Sequence, residues 1–229
     1  MKRIAVFVSL LASLCFLGTG AAFAGPLQYQ VTITNLTKGE PFSPTAVIIH
    51  DAQMEPIFTL GEPASEGIWS IAEGGNTAPL VAALSGNPHV IDIQVAGDAP
   101  YGPGESRTVI LDGGNGFGGR RISLAGMLGI TNDSFFALNG ETVPNFVPFY
   151  YNEYSQVFMA PAYDSGTEVN NEDCNYVAGC GGTLRMTDGA EGYVYVSSGI
   201  HGIGDLDPAE LDWNNPVAKI TVRVSRHGF

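Results

Sequence analysis

The segment Pro161 to Asn175, PAYDSGTEVNNEDCN, puts Asp164, Glu168, Glu172 and Asp173 within ten residues and contains no Lys or Arg. Carboxylates at that density repel one another unless a positive charge joins them. Gly166 permits a positive φ, so the chain after Tyr163 can curl and turn Asp164 and Glu168 toward a shared point. Such a curl offers two carboxylates, backbone carbonyls and the Thr167 hydroxyl, the hard oxygens that calcium gathers in sets of about six to eight. Two carboxylates make a weak site, and Asn132-Asp133-Ser134, at a loop-to-strand junction, is able to supply a third. On residue types alone, a calcium loop and an uncompensated acidic loop both remain open.

Other chemistry finds less support. Gly114 to Gly119 satisfies G-x-G-x-x-G, but the residues that follow, Arg120 to Leu124, alternate like a strand, whereas a pyrophosphate site needs a helix there. A flexible hairpin connection is expected instead. No G-x-S-x-G nucleophile turn occurs, and Ser198 near His201 is proximity in sequence only. His50, His89, His201 and His227 are scattered, form no H-E-x-x-H pair and are expected in loops or at the surface. Asp205, Asp207, Glu210 and Asp212 lack EF-hand spacing, and Asp207-Pro208 with Glu210 reads as a capped helical turn. Cys174 and Cys180, flanked by glycines, suit a small disulfide-closed loop in an exported chain; free thiols are the alternative, and zinc would lack its remaining ligands.

Export is expected from the first residues. Lys2 and Arg3 precede an apolar run from Ile4 to Leu17, and Ala22-Phe23-Ala24 before Gly25 has the form a signal peptidase accepts. Residues 1–24 therefore read as a secretory signal and 25–229 as one domain, in a periplasm or outside the cell. A membrane anchor is the alternative, for which the run is short, and a lipoprotein start at Cys15 is disfavoured by Leu14. The whole chain carries 10 Lys and Arg against 23 Asp and Glu, a net charge of −13, and without Lys2 and Arg3 the excess deepens by two. A surface this acidic repels nucleic acid.

The elements that must hold the acids read as strands separated by Gly, Pro and Asn. Tyr29, Val31 and Ile33 alternate with polar residues near one end, as do Ala218, Ile220, Val222 and Val224 near the other. Further strands are predicted near 45–50, 90–95, 106–111, 121–128, 134–138, 156–162 and 192–196. This pattern predicts an all-β fold, an antiparallel β-sandwich. A helix is predicted over 64–73, capped by Ser65 and ended by Gly74-Gly75, with a second short one near Leu80 to Leu84. Both are expected to cover an open sheet edge, with Trp69 as a core or edge plug.

Three stretches carry a resemblance. YDSGTE (163–168) resembles the D-A-G-T-D motif of spondin amino-terminal domains. TNDSFFALNG (131–140) is similar to their S-P-D-W-F-V-G stretch, and NPVAKITVRVSR (215–226) to their closing proline-plus-strand segment. The matches occur in the family's order over nearly the whole chain after residue 24, and GEPASEGIWSIAEGG and GYVYVSSGIHGIGDL look like the secreted bacterial branch. The resemblance implies an antiparallel sandwich of the type used by calcium-dependent membrane-targeting domains. It also implies calcium held by Asp133, Asp164 and Glu168, the last standing where the family has Asp. Glu172 and Asp173 are then outer-shell or merely solvated. The implied function is a secreted, non-catalytic adhesion or interaction module, whose partner is an extracellular or cell-surface protein or glycan. The aromatic run Asn145 to Tyr154 is a candidate contact patch. The alternative is a calcium-dependent hydrolase of envelope or extracellular polymers, for which His201 with Asp205 is the local pair to examine. Calcium-bridged attachment to anionic lipid is a weaker expectation.

Overall fold

The computed structural model describes residues 26–115, 118–148 and 150–226. The expected signal segment, His227 and the middle of the glycine-rich run lie outside them. In chain order the elements are β1 (Leu27–Asn35), β2 (Thr45–His50), α1 (Glu66–Gly74), α2 (Ala78–Leu84), β3 (Val90–Ala96), β4 (Ser106–Asp112) and β5 (Arg120–Met127). Then come β6 (Ser134–Val143), β7 (Glu153–Ala160), β8 (Ala162–Asp164), a 3-10 turn (Ala178–Cys180), β9 (Tyr195–Val196), α3 (Pro208–Leu211) and β10 (Ala218–Arg226). They form a four-stranded sheet, β4-β1-β10-β7, and a six-stranded sheet, β3-β2-β5-β6-β8-β9, with every pairing antiparallel. The all-β sandwich expected from the alternating pattern is the observed architecture.

Period-two alternation decides the first sheet. Tyr29, Val31 and Ile33 of β1 are fully buried, their neighbours half-exposed, and Val31 lies opposite Val222 and Ile33 opposite Ile220 in the register with β10. These side chains meet Val47, Ile49, Ile122, Leu124, Phe136 and Leu138 of the second sheet in one core. Phe42 stacks on Phe136 at 4.1 Å between ring centres and takes the edge of Tyr101 at 5.6 Å.

All six residues of β2 are buried, which means that the larger sheet is apolar on both faces and needs a second cover. Ile68, Ile71 and Ala72 of α1 and Leu80 of α2, with Met54, Ile57 and Phe58, pack on Ala46, Ile48, Ala125, Phe135 and Ala137. The helices therefore lie on the outer face of the sheet and not over an edge, the position expected for them. Their ends follow the sequence: Ser65 Oγ accepts the Ile68 amide, and Gly75, at φ 64°, closes the last turn of α1.

Three further expectations are corrected. The run 156–162 is not one strand, because Pro161 lacks an N–H for the ladder; β7 ends before it in one sheet and β8 begins after it in the other. The glycine-rich connection joins β4 and β5 across the two sheets, so it is not a hairpin. The stretch 192–196 contributes only Tyr195 and Val196 as a strand. Among the described residues, no helix is long and apolar enough to cross a membrane. Cys174 and Cys180 form a disulfide with their Cα atoms 5.3 Å apart.

Candidate metal site

The pairing of β6 with β8 sets Ser134 opposite Asp164, so Asp133 and the loop after Asp164 are brought side by side at one end of the larger sheet. Thr131 fixes the approach to β6: its hydroxyl donates to the Leu128 carbonyl and accepts the Ser134 amide. On the other strand the Gly166 amide donates to Asp164 Oδ1 at 2.8 Å, and Gly166 takes φ 65°, as its place in the motif predicts. There is also no room for a larger residue, since a Cβ there would sit 2.2 Å from the Tyr193 carbonyl oxygen.

The curl aims its donors at Asp133. The amides of Thr167 (2.7 Å) and Glu168 (3.0 Å) and the hydroxyls of Ser165 (2.9 Å) and Thr167 (3.2 Å) all donate to Asp133 Oδ2. Asp133 Oδ1 is different. It belongs to a residue with no solvent exposure, and it has no hydrogen-bond partner. A buried polar atom left in this state is costly unless a further group completes it.

Asp164 is 1 % exposed and accepts Asn170 Nδ2 on its second oxygen at 2.8 Å; the same Asn170 nitrogen reaches the Tyr195 hydroxyl. Glu168 is 2 % exposed, with Oε1 3.5 Å from Arg185 Nε. The Arg185 guanidinium bonds Glu73 Oε1 at 2.6 Å and stands 4.4 Å from the centre of the Trp69 ring. Trp69, expected to plug the core or an edge, is half-buried and carries this cation on its face. Trp69, Glu73, Glu168 and Arg185 line a cleft of about 380 Å³ together with Asn76, Tyr176 and Thr183.

The electrostatics follow from burial. Asp164 is pushed up to about 7, first by desolvation and then by the charge of Asp133. Glu168 also rises to about 7, by burial and then by Glu73 and Asp133. Burial raises Asp133 against the pull of its amide and hydroxyl donors, and raises Glu73 against Thr167 and Arg185. Burial thus biases each acid toward its neutral form, and a cation would oppose that bias.

The three predicted ligands are neighbours in space, but their oxygens are not assembled into a finished cage. Among the described residues, no group of three or more His, Cys, Asp or Glu side chains is arranged to hold a metal ion. Asp133 and Asp164 face the same interior, while Glu168 is turned toward Arg185. What the site contains does fit a hard cation. Its donors are carboxylate and hydroxyl oxygens, one of them buried and unpartnered, without the sulfur or imidazole that zinc prefers.

Other acids have structural tasks. Glu172, expected to be solvated or outer-shell, is 4 % exposed, and its two oxygens accept the amides of His201 and Ile203. Asp173 caps a local turn at Asn175. The His201 ring bonds the Ser198 carbonyl, and the Asp205 carboxylate takes the Cys174 amide, so these two side chains do not form an acid–base pair. His50, expected in a loop or at the surface, is buried in β2 against Ser123. Of the aromatic run, Phe146, Tyr151 and Tyr154 are exposed, and Val147 is in the core.

Sequence reasoning missed Glu73, Arg185, Asn170 and Tyr195, which lie far from the motif or bear no spacing that marks them. No protein-family model matches this chain, and no curated protein matches it.

Proposed function

We propose that the chain is an exported, calcium-stabilised β-sandwich module of the spondin amino-terminal type, serving adhesion or recognition without catalysis. Asp133, Asp164 and Glu168 would hold the ion, with Asp133 contributing Oδ1. The ion supplies positive charge that joins the loop before β6 to the loop after β8. That end of the sandwich then presents a fixed surface to an extracellular protein or glycan. The likeness to calcium-dependent membrane-targeting sandwiches, and with it attachment to anionic lipid, belongs to the same reading.

One observation carries it: a fully buried carboxylate oxygen, Asp133 Oδ1, without a partner, beside a second buried acid. The three motifs add support, since they fall on the two strands that flank this atom and on β10. The disulfide is compatible with an oxidising compartment.

Thermal unfolding in excess calcium and in chelator tests the proposal. An ion at ~100 times its dissociation constant stabilises the native state by about 2.7 kcal/mol. For a domain of this size the midpoint should rise by roughly 5 to 11 °C, and Asp133→Ala and Asp164→Ala should abolish the rise. A wild-type midpoint indifferent to calcium would reject the site.

A further inference from the structure

We propose that Arg185 is an internal counter-ion that competes with the metal, and that calcium entry displaces its guanidinium from Glu168 and from the face of Trp69. The inference rests on the calcium reading above and adds to it a residue that sets the affinity.

Glu73, Glu168, Asp133 and Asp164 influence one another, and Arg185 is the cation paired with two of them. It bridges the end of α1 to the acidic loop, so it already supplies part of the compensation that a dication would bring. Glu168 cannot serve both cations well. Its backbone amide is pinned on Asp133 Oδ2 at 3.0 Å, which leaves its side chain to choose between Arg185 and the interior shared with Asp133.

Of the two ion pairs that Arg185 makes, the one to Glu168 is the longer. Its Nε stands 3.5 Å from Glu168 Oε1, whereas a terminal nitrogen is 2.6 Å from Glu73. The Arg185 side chain is 42 % exposed, so it can leave through solvent without disturbing the core. Residues 183–188 contain neither strand nor helix, and the side chain moves by rotation about its own bonds. A dication seated on Glu168 would repel the guanidinium, and the two neutralise the same carboxylate. Binding of one therefore opposes binding of the other.

Trp69 provides a signal. The guanidinium covers its ring at 4.4 Å from the centre, and its departure would admit water to that face. The chain's second tryptophan, Trp213, is 9 % exposed and packs in the sandwich core, apart from this cleft.

The test is a titration of calcium chloride into chelator-stripped wild type, Arg185→Gln, Arg185→Lys and Trp69→Phe, followed by calorimetry and tryptophan emission. Arg185→Gln should bind calcium roughly three- to tenfold more tightly, the effect of removing one partly exposed, hydrogen-bonded ion pair. Arg185→Lys should stay near wild type. Wild-type emission should shift to the red on binding, and Trp69→Phe should lose that shift. Equal or weaker binding by Arg185→Gln, or calcium binding by the wild type with unchanged emission, would overturn the role of Arg185 and leave the calcium site standing. Absence of binding by every variant would remove the calcium reading itself. If Arg185→Gln fails to fold without the ion, the wild-type emission and its loss in Trp69→Phe still decide.

Discussion

Replacing Asp164 by Asn should stabilise the ion-free protein at neutral pH while removing its response to calcium. Burial and the neighbouring Asp133 hold the Asp164 carboxyl at about 7, against the ordinary 3.8. In the window between these values the native state keeps a proton that the unfolded chain has released. Stability contributed by this group is therefore fully present below about 3.8 and is lost as pH rises toward 7. Roughly three pKa units correspond to about 4 kcal/mol of native-state penalty above pH 7. In a domain of ~200 residues this is roughly 8 to 16 °C in the unfolding midpoint.

Asparagine retains the shape and drops the charge. Its oxygen can still accept the Gly166 amide, and the new NH₂ meets Asn170, whose own amide can turn over to accept it and the Tyr195 hydroxyl. The assay is thermal unfolding of wild type and variant in metal-free buffer from pH 4 to 8.5. Titrating groups remote from Asp164 cancel in the difference between the two proteins, and Asp133, whose charge acts on Asp164, adds to it with the same sign because its repulsive neighbour is gone. That difference should be near zero at pH 4, grow in the variant's favour through pH 7 and then level off. Excess calcium at pH 8 should raise the wild type and leave the variant unmoved. A gap that ignores pH, or a variant less stable than wild type at pH 8 without the ion, would refute the claim that Asp164 is held against its charged form.

Glu172→Gln should lose one of two charge-assisted bonds to backbone amides, costing about 1.5 to 3 kcal/mol in urea unfolding, by the same amount with and without calcium. Gly166→Ala forces a side chain into a left-handed position facing the Tyr193 carbonyl. The backbone strain alone should cost about 1 to 3 kcal/mol, the overlap with Tyr193 adds to it, and calcium binding by calorimetry should weaken because the Thr167 and Glu168 amides would move off Asp133. Changing Cys174 and Cys180 together to Ser opens a short loop and should lower urea stability by about 2 kcal/mol, leaving calcium affinity within about twofold.

The strands were legible because one side chain in two must be apolar when one face of a sheet is covered, and β1 and β10 follow that rule over nine residues each. The helix α1 was legible through its local caps. What failed had a non-local cause. Nothing inside the helical segment says which surface it will meet; the answer lies in β2 and β5, whose second faces are also apolar. Asp133, Asp164 and Glu168 were reached through motif residues that lie next to strands. Glu73 and Arg185 were not, since the contact between them spans 112 residues and depends on where α1 lands. Glu172 looked like surface charge because its partners, the amides of His201 and Ile203, have no signature in a sequence.

The two cores explain why the acids stay close enough to repel. Asp133 and Asp164 sit at the ends of adjacent strands whose partners are fixed, and Phe135 and Phe136 of β6, two and three residues beyond Asp133, are wholly buried on opposite faces. A slip of one residue would exchange those two rings between the cores, so the register cannot shift to separate the carboxylates. Rotation of the side chains is also restricted, because Asp133 Oδ2 already collects the donors of the Ser165 to Glu168 turn. Arg185 offsets the charge of Glu73 and Glu168, and the repulsion that remains between Asp133 and Asp164 is met by a proton or by a further cation. Above pH 7 the proton is lost, and the cation of the proposed site would then stabilise this end of the sandwich.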